Sequence, residues 1–454
     1  MASPGYVTDT AYIRAVTGEL LPEFLDLVAL INGFAPPEGA RRSWCELGCG
    51  RGLTAIVSAA THRDWPHHAI DLMPIHIEDA ARFALAAGTD NLTLHATDFA
   101  AATALDLPRF DYIVAHGVYA WIDAAAAASF RSFVDRHLAP GGLVYVSYNA
   151  MPGWAVDAPF QHLLRGLAED KPGDSNARFA AALAEARAVA SAAPSVLGAS
   201  PQARDWETHS ATLPLDYFAH EYLAPSWRAL YVDEFRAEMA EVGLEPVGTA
   251  TLRENFDAFV LVEGARAAVA AMPPGTRREL VRDYYLCQRF RRDVLTRGAR
   301  RLDDRERRER LLATRLLLRQ PAELADYGMK TSAGNVDFDN AVSRHVVARL
   351  EGGPRPLGDC VDADHGANDV IASTLTMLCA GLLGVATRHD SPVDRLNALL
   401  REEAGPRADG VYQVLPCGGV FRFAASFLED CLRPVPEQQR GRSWAAYLHR
   451  SAAL

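Results

Sequence analysis

Between residues 41 and 155, short apolar runs alternate regularly with longer segments of helical periodicity. The apolar runs predict five strands, at Ser43–Leu47, His68–Leu72, Leu92–Ala96, Phe110–Ala115 and Gly142–Ser147. The helical segments between them lie at Thr54–Ala60, Ile77–Ala87 and Ala124–Leu138. Because strands and helices that alternate at this pace form βαβ units, the pattern predicts a parallel sheet with helices on both faces.

A helical insertion and two further strands are predicted to complete this unit. Residues 155–215 are rich in Ala and carry only helical signals. A helix at Tyr231–Val242 and strands at Glu245–Thr251 and Phe256–Val262 follow them. With an amphipathic helix at Leu20–Asn32 in front, we expect residues 1–265 to form one α/β domain, with a Rossmann-like sheet and a helical insertion at about 155–215.

The remaining residues, 266–454, are predicted to form a mostly helical second domain with a regulatory or substrate-selecting role, and a linker is expected at Met272–Gly275. Its beginning is basic, since residues 277–319 contain 15 Arg and 7 acidic residues. This region is either a solvated helix pair with internal ion pairs or a face that docks an acidic partner or the acidic first domain. Helices and a Gly-rich strand pair between residues 338 and 423 predict a winged-helix-like unit.

Composition and charge exclude several classes of protein. The chain has 454 residues and a net charge of −11, which disfavours nucleic acid as a partner because phosphate contacts need a basic face. Its seven scattered cysteines include no CxxC pair and suit a reducing compartment. No secretory signal and no apolar run of about 18 residues are present, so we expect a cytoplasmic protein without membrane insertion. The oligomeric state does not follow from the sequence.

A Gly-rich motif at the end of the first predicted strand carries the chemistry. It reads Glu46-Leu-Gly48-Cys49-Gly50-Arg-Gly52 and opens a helix. The glycines permit a tight turn and the close approach of a ligand to the backbone. Dinucleotide enzymes need a Gly three residues after the second one, and Leu53 stands there. An acidic residue two positions before the first Gly is instead typical of S-adenosylmethionine (SAM) enzymes, where it helps to hold the methionine part.

Two further acids follow the next two strands. Asp71 ends the second strand and has the geometry to accept the ribose hydroxyls, and Asp98 follows the third strand, where adenine would lie. Because parallel strands end at the same edge of a sheet, the three acids should meet there. The predicted cofactor-binding residues are Glu46, Gly48, Cys49, Gly50, Asp71, Leu72, Asp98, Phe99 and His116.

The chain resembles class I SAM-dependent methyltransferases, and more narrowly a bacterial subgroup with a methyltransferase regulatory domain. The resemblance is carried by Glu46-Leu-Gly-Cys-Gly50, by the segment from Phe110 to Trp121 and by the segment from Leu138 to Trp154. His220-Glu-Tyr-Leu223 and Arg289-Phe-Arg-Arg-Asp293 resemble its second region. The subgroup includes protein-lysine methyltransferases that act on outer-membrane proteins. The chain departs from it at Gly52-Leu53-Thr54, where the subgroup often shows Gly-Gly-Asn, so the resemblance implies the cofactor more firmly than the acceptor.

Residues after the fourth and fifth strands are the candidates for chemistry on the acceptor. His116 is a candidate general base or a backbone ligand of the SAM amino group, and Tyr119 is a second catalytic candidate. Their aromatic neighbours suit a sulfonium or a methylammonium, or else pack under the insertion. The predicted substrate pocket consists of Tyr12, Trp121, Tyr148, Asn149 and Trp154.

The acceptor itself stays open at this point. A protein amine, such as lysine, and a small molecule or polysaccharide precursor are alternatives. A non-catalytic adaptor that keeps a SAM fold as a scaffold is a further alternative, and the glycine spacing disfavours a dinucleotide oxidoreductase. We predict no metal site, because His62, His67, His68 and His76 have no carboxylate at fixed spacing.

Overall fold

The structure is a computed structural model that describes residues 14–192, 199–206, 215–320, 322–388, 390–404 and 411–423. Tyr12, which is predicted to line the substrate pocket, lies outside the described residues, as does Cys431. Among the described residues, none of the helices combines the length and the apolar character that a membrane crossing requires.

A seven-stranded mixed sheet forms the centre of the molecule. The strands are β1 (Trp44–Leu47), β2 (His67–Asp71), β3 (Leu92–Ala96), β4 (Phe110–Ala115), β5 (Leu138–Asn149), β6 (Glu245–Thr249) and β7 (Phe290–Thr296). They lie in the order β3-β2-β1-β4-β5-β7-β6, with β1 to β5 parallel and β7 antiparallel to both of its neighbours. The predicted mixed α/β, Rossmann-like fold is confirmed.

Helices cover both faces of this sheet. One layer packs its apolar sides against Trp44 and Tyr112, and the other packs against Ile113 and Val144 on the opposite face. The first layer comprises α1 (Pro22–Ile31), α2 (Leu53–Thr61) and α3 (Pro74–Ala87), and the second comprises α4 (Phe99–Ala104) and α5 (Ala124–His137), joined later in the chain by the helix Val232–Ala240.

The insertion after β5 has a hydrophobic core of its own, in which Phe160, Phe179, Trp206 and Tyr222 meet. Its helices continue to Leu223, beyond the predicted end at 215, because Phe218 and Tyr222 complete this core. The helices are α6 (Ala158–Ala168), α7 (Ser175–Ala192), α8 (Pro201–Arg204) and α9 (Leu215–Leu223), and the helix Val232–Ala240 that follows is α10.

The predicted strand Phe256–Val262 is wrong. Residues Asp257–Val260 form a helical turn, α11, and the seventh strand is β7. The sequence does not predict β7 as a strand, because Arg291 and Asp293 interrupt its apolar pattern. Both side chains are buried, and Arg291 forms ion pairs with Asp293 and with Asp283, so charged residues occupy positions in the sheet interior.

The sheet therefore extends beyond the predicted domain boundary at 265. β7 pairs with β5 along seven residues and with β6 on its other side, so the sheet is incomplete before residue 296. The expected linker at Met272–Gly275 merely joins two helices that precede this strand. These helices are α12 (Glu263–Ala270) and α13 (Thr276–Leu286).

The chain beyond β7 forms smaller sheets with helices packed around them. The strands β11 (Arg355–Pro356), β8 (Arg315–Leu318) and β12 (Leu383–Val385) form a three-stranded sheet in this order. The central strand, β8, comes before most helices of this part of the chain, whereas in a winged helix the helices would come first. The strand pair near 412–423 exists as a separate two-stranded sheet. The elements are α14 (Asp304–Ala313), β8 (Arg315–Leu318), β9 (Gly328–Thr331), β10 (Gly334–Asp337), α15 (Ala341–Leu350), β11 (Arg355–Pro356), α16 (Ala367–Cys379), β12 (Leu383–Val385), α17 (Asp394–Ala404), β13 (Val411–Val414) and β14 (Val420–Phe423).

The Arg-rich region 277–319 is not a solvated helix pair, because it contains β7 and β8. Several of its arginines bind the first part of the chain. Arg307 donates to the backbone carbonyls of Leu30 and Ile31 at the end of α1, where a helix presents unsatisfied acceptors. Arg297 pairs with Asp135 on α5. The basic residues thus fasten the C-terminal half to the acidic sheet domain.

Truncating a core side chain of β7 should destabilise the whole protein. We expect Leu295→Ala to lower the free energy of unfolding by about 2–5 kcal/mol, because Leu295 is 1% exposed and its loss leaves a cavity. Leu85→Ala is the control, since Leu85 is 78% exposed on α3. Urea denaturation measures both, and equal effects would show that β7 is not a core strand.

Candidate active site

The three glycines after β1 have positive φ angles and different surroundings. A Cβ on Gly48 would clash with the Val118 side chain, and one on Gly52 would lie 2.8 Å from Ala80. A Cβ on Gly50 would meet no heavy atom within 4 Å. The outer glycines therefore pack the turn against the protein, while the middle one borders open space at the carboxyl edge of the sheet.

Asp71 fixes this turn from the end of β2. Its Oδ2 accepts a hydrogen bond of 2.8 Å from the backbone N–H of Gly50, and its Oδ1 accepts one of 2.9 Å from Met73. His76 Nδ1 lies 3.1 Å from the same Oδ1. An ionised carboxylate has about four acceptor positions, so roughly one is left for a ligand. Asp71 thus fixes the conformation of the glycine loop. Few of its acceptor positions are left for the two ribose hydroxyls that it is predicted to bind.

Glu46 is a buried carboxylate that lacks a complete set of partners. It is 5% exposed, and its Oε2 has no hydrogen-bond partner among the described residues. Burial, and then the charge of Asp71, raise the pKa of Glu46 to about 8, while the backbone N–H of Ala55 partly offsets this. Such a site is completed by a cationic donor, because a nearby positive charge restores the ionised form.

The predicted adenine side of the site is more open. Asp98 is exposed, and its carboxylate caps α4 by accepting a hydrogen bond from the Ala101 N–H. Leu72 is 38% exposed after β2, and Phe99 meets Phe130 edge-on. Leu72 is therefore an accessible apolar side chain next to the cleft, which suits contact with the planar face of adenine.

His116, after β4, is enclosed by residues that the sequence analysis missed. Its Nδ1 lies 2.9 Å from the Tyr145 hydroxyl, and Phe290 on β7 packs against its ring. Burial, and then the charge of Arg292, lower the pKa of His116 to about 4. The imidazole is therefore neutral at physiological pH. The sequence does not place Phe290 and Arg292 near His116, because it does not predict β7 as a strand of this sheet.

Tyr119 and Tyr148 do not belong to the open edge. Tyr119 is fully buried, and its hydroxyl donates to Glu238 on α10. Tyr148 is 1% exposed, stacks on Phe235 and donates to Asp293. Tyr119, the catalytic candidate, and Tyr148, the pocket candidate, therefore both pack in the core under α10.

Asn149, the last residue of β5, meets an acid that the sequence analysis did not single out. Its Nδ2 lies 3.4 Å from Oε1 of Glu221 on α9. Burial raises the pKa of Glu221 to about 7, although Asn149, Tyr217 and the charge of Arg289 act in the opposite direction. Glu221 forms no ion pair among the described residues. Only the His220-Glu-Tyr-Leu223 segment of the family resemblance pointed to this helix.

Two indoles lie close to this pair. Trp154 is buried, meets Trp227 edge-on and carries the guanidinium of Arg289 at 3.9 Å over its ring. The Nε1 atoms of both indoles are buried and have no hydrogen-bond partner among the described residues. Trp121 is 9% exposed and packs in the core next to α5, away from a pocket role.

The four histidines near β2 do not converge on one point. His62 contacts Glu23, His67 contacts Ser58, His68 contacts His95 and His76 contacts Asp71. Elsewhere, His345, Asp362 and His365 bring three potential metal ligands within 4.8 Å of one another. Their imidazoles stack face to face at 4.0 Å, so one ion cannot lie in both ring planes as they stand.

The residues at the sheet edge fit SAM. The unpartnered Oε2 of Glu46 suits the methionine ammonium, and the open side of Gly50 leaves space for a ligand against the backbone.

Comparisons with known proteins agree with this fit. Residues 45–144, which include the glycine turn, match the family described as methyltransferase domain. Residues 214–297 match the predicted methyltransferase regulatory domain. The chain is a SAM-dependent methyltransferase. The regulatory-domain match ends directly after β7, so it contributes two strands, β6 and β7, to the catalytic sheet of the methyltransferase.

Similar proteins cover nearly the whole methyltransferase. An uncharacterized protein of Synechocystis is 28% identical over 94% of this chain and 84% of its own length. The structure of PKMT2 from Rickettsia typhi has a TM-score of 0.67 at 18% identity, over 91% of this chain and 86% of that one. The same protein in complex with AdoHcy gives a TM-score of 0.66.

Binding of SAM should release a proton from Glu46. Its carboxyl is largely protonated at pH 7 because its pKa is about 8, and a neighbouring ammonium lowers that pKa. We therefore expect SAM affinity to rise from pH 6 to 7.5. Calorimetry in buffers of different ionisation enthalpy measures the released proton. Glu46→Gln should abolish the release, and an unchanged release would contradict the assignment.

Alanine substitutions should separate the structural glycine from the ligand-facing one. Both Gly48→Ala and Gly50→Ala force a left-handed backbone on a residue with a Cβ, at about 1–2 kcal/mol. Gly48→Ala adds the clash with Val118, about 1–3 kcal/mol more. Gly50→Ala should instead weaken SAM binding more than it lowers stability. Thermal melts and calorimetric titration test this, and equal losses of stability would refute the distinction.

Proposed function

We propose that the methyl acceptor is an amine, the side chain of a protein lysine, and that the reaction takes place in the cytoplasm. The observation that carries this proposal is the Glu221–Asn149 pair at the end of β5. Glu221 is an acid without an ion pair among the described residues, beside the ends of the strands that bind the cofactor. A carboxylate in such a place favours a cationic or proton-donating group, such as an ammonium.

The amine must be deprotonated before it attacks. SAM supplies a methyl group on a positively charged sulfur, and the amine nitrogen must lie in line with that carbon. A lysine ammonium has an unperturbed pKa near 10.4, so it rarely loses its proton at neutral pH without help. Glu221, with a pKa of about 7, accepts the proton from the lysine nitrogen, while Asn149 orients the carboxylate. The neutral nitrogen then has a free lone pair.

His116 is less suited to this step. Its pKa of about 4 makes it a weaker base than Glu221, and its Nδ1 already contacts the Tyr145 hydroxyl. We assign His116 to the wall of the cofactor site, where a neutral ring avoids repulsion with a sulfonium. Arg289, whose charge acts on Glu221, lies over Trp154. Trp154 meets Trp227 edge-on, and the two indoles provide apolar surface for the methylene chain of a lysine.

Similarity to PKMT2, whose name denotes a protein lysine methyltransferase, supports a protein acceptor. The fold similarity covers the C-terminal half as well as the sheet. A small-molecule acceptor remains the alternative, favoured by no contact of the described residues. A scaffold without catalysis is disfavoured, because Glu46, Gly50 and Asp71 retain the arrangement that SAM requires.

The acceptor is tested with radiolabelled methyl-SAM and lysate of a strain that lacks this protein. We expect label in the protein fraction and methyllysine after hydrolysis. Glu221→Gln should lower kcat by about 100-fold to 10,000-fold, the worth of a general base, and remove the rise in rate as pH passes through 7. Glu241→Gln, an exposed acid, is the control. Label confined to small molecules would refute the lysine proposal, and an unaltered pH profile would refute the role of Glu221.

A further inference from the structure

Asp79, on α3, binds three arginines from different parts of the chain. Its Oδ2 accepts a hydrogen bond of 2.6 Å from Nε of Arg51, and its Oδ1 accepts one of 3.1 Å from Arg82. Arg14 also donates to Oδ2. These guanidinium groups hold the pKa of Asp79 well below its usual range, although partial burial opposes them. The carboxylate therefore stays charged at every physiological pH.

Arg51 connects this carboxylate to the cofactor loop. It lies between Gly50, which borders the open ligand space, and Gly52, which packs on Ala80. Ala80 follows Asp79 on α3, so the turn is held on this helix by a close apolar contact and by an ion pair at adjacent positions. A displacement of Asp79 would move the backbone that faces the cofactor.

Arg14 connects the same carboxylate to the C-terminal half. Its second guanidinium nitrogen donates to Glu403 on α17, and the group lies 4.5 Å from the ring centre of Phe83. Leu396 and Leu400 of α17 pack in one hydrophobic core with Ile56 and Val57 of α2. The helix that begins at the cofactor loop thus shares a hydrophobic core with α17, and α3 contacts both helices.

We propose that Asp79 is a positioning residue for the cofactor loop and that Arg14 and Glu403 couple SAM affinity to the docking of α17. The coupling is reciprocal, so a helix that strengthens SAM binding must itself be stabilised when SAM binds. Through the contacts Glu403–Arg14–Asp79–Arg51, the C-terminal half would change the affinity for SAM without contacting the acceptor. The proposal rests on SAM binding and is independent of the acceptor's identity.

Calorimetric titration of the full-length protein with SAM tests the proposal. We expect Asp79→Asn to raise the Kd for SAM about 10-fold, as the loss of a charge-assisted hydrogen bond does, and Glu403→Gln to raise it about 3-fold. Asp79→Glu should restore most of the affinity. The matched controls are Glu78→Gln and Glu402→Gln. Each substitution also removes one negative charge, and each replaces an exposed neighbour on the same helix.

Two further readouts separate positioning from a general loss of structure. Steady-state kinetics of Glu403→Gln should show a higher KM for SAM with kcat and acceptor KM unchanged. Hydrogen exchange should show that SAM protects the amides of α17 in the wild type and less so in Glu403→Gln. If Asp79→Asn fails to fold, Glu403→Gln decides the outcome. A Kd for Glu403→Gln equal to that of Glu402→Gln, with α17 protected alike, overturns the coupling, and an unchanged Kd for folded Asp79→Asn overturns the positioning role.

Discussion

Two carboxylates at one edge of the sheet form no ion pair with any residue that the structure describes. Glu46 is buried beside Asp71, and Glu221 lies on α9 against Asn149. Moving a charge out of water without a partner is costly, so each carboxyl responds by a raised pKa. The fold maintains this unfavourable arrangement because the ligands carry the missing charges. One carboxylate suits the ammonium of SAM and the other suits the amine that receives the methyl group.

The sheet that presents these carboxylates is assembled from both halves of the chain. β7 enters between β5 and β6, so Phe290 and Arg292 reach the cofactor side from residues far along the sequence. Arg297 and Arg307 then fasten neighbouring segments to α5 and to the end of α1. The segment that matches the regulatory domain is for this reason part of the same sheet as the methyltransferase domain.

The sequence predicts the parallel half of the fold well, because β1 to β5 are apolar runs followed by helical periodicity. It identifies the glycine turn and Glu46, since both belong to a local motif. It does not predict β7, because charged residues such as Arg291 and Asp293 are typical of the protein surface, whereas this pair is buried. It does not reveal that Tyr119 and Tyr148 are buried under α10, because proximity along the chain does not show which face of the sheet a side chain occupies. Glu221 escapes prediction because its environment depends on how the insertion packs on the end of β5.

A crystal structure of the full-length protein with AdoHcy and a lysine-containing peptide tests the central claim most directly. The account predicts that the amino group of AdoHcy lies within about 3 Å of the Glu46 carboxylate and that the lysine nitrogen lies at similar distance from Glu221. A complex in which Glu46 stays unpartnered, or in which the lysine nitrogen binds away from Glu221, would contradict it.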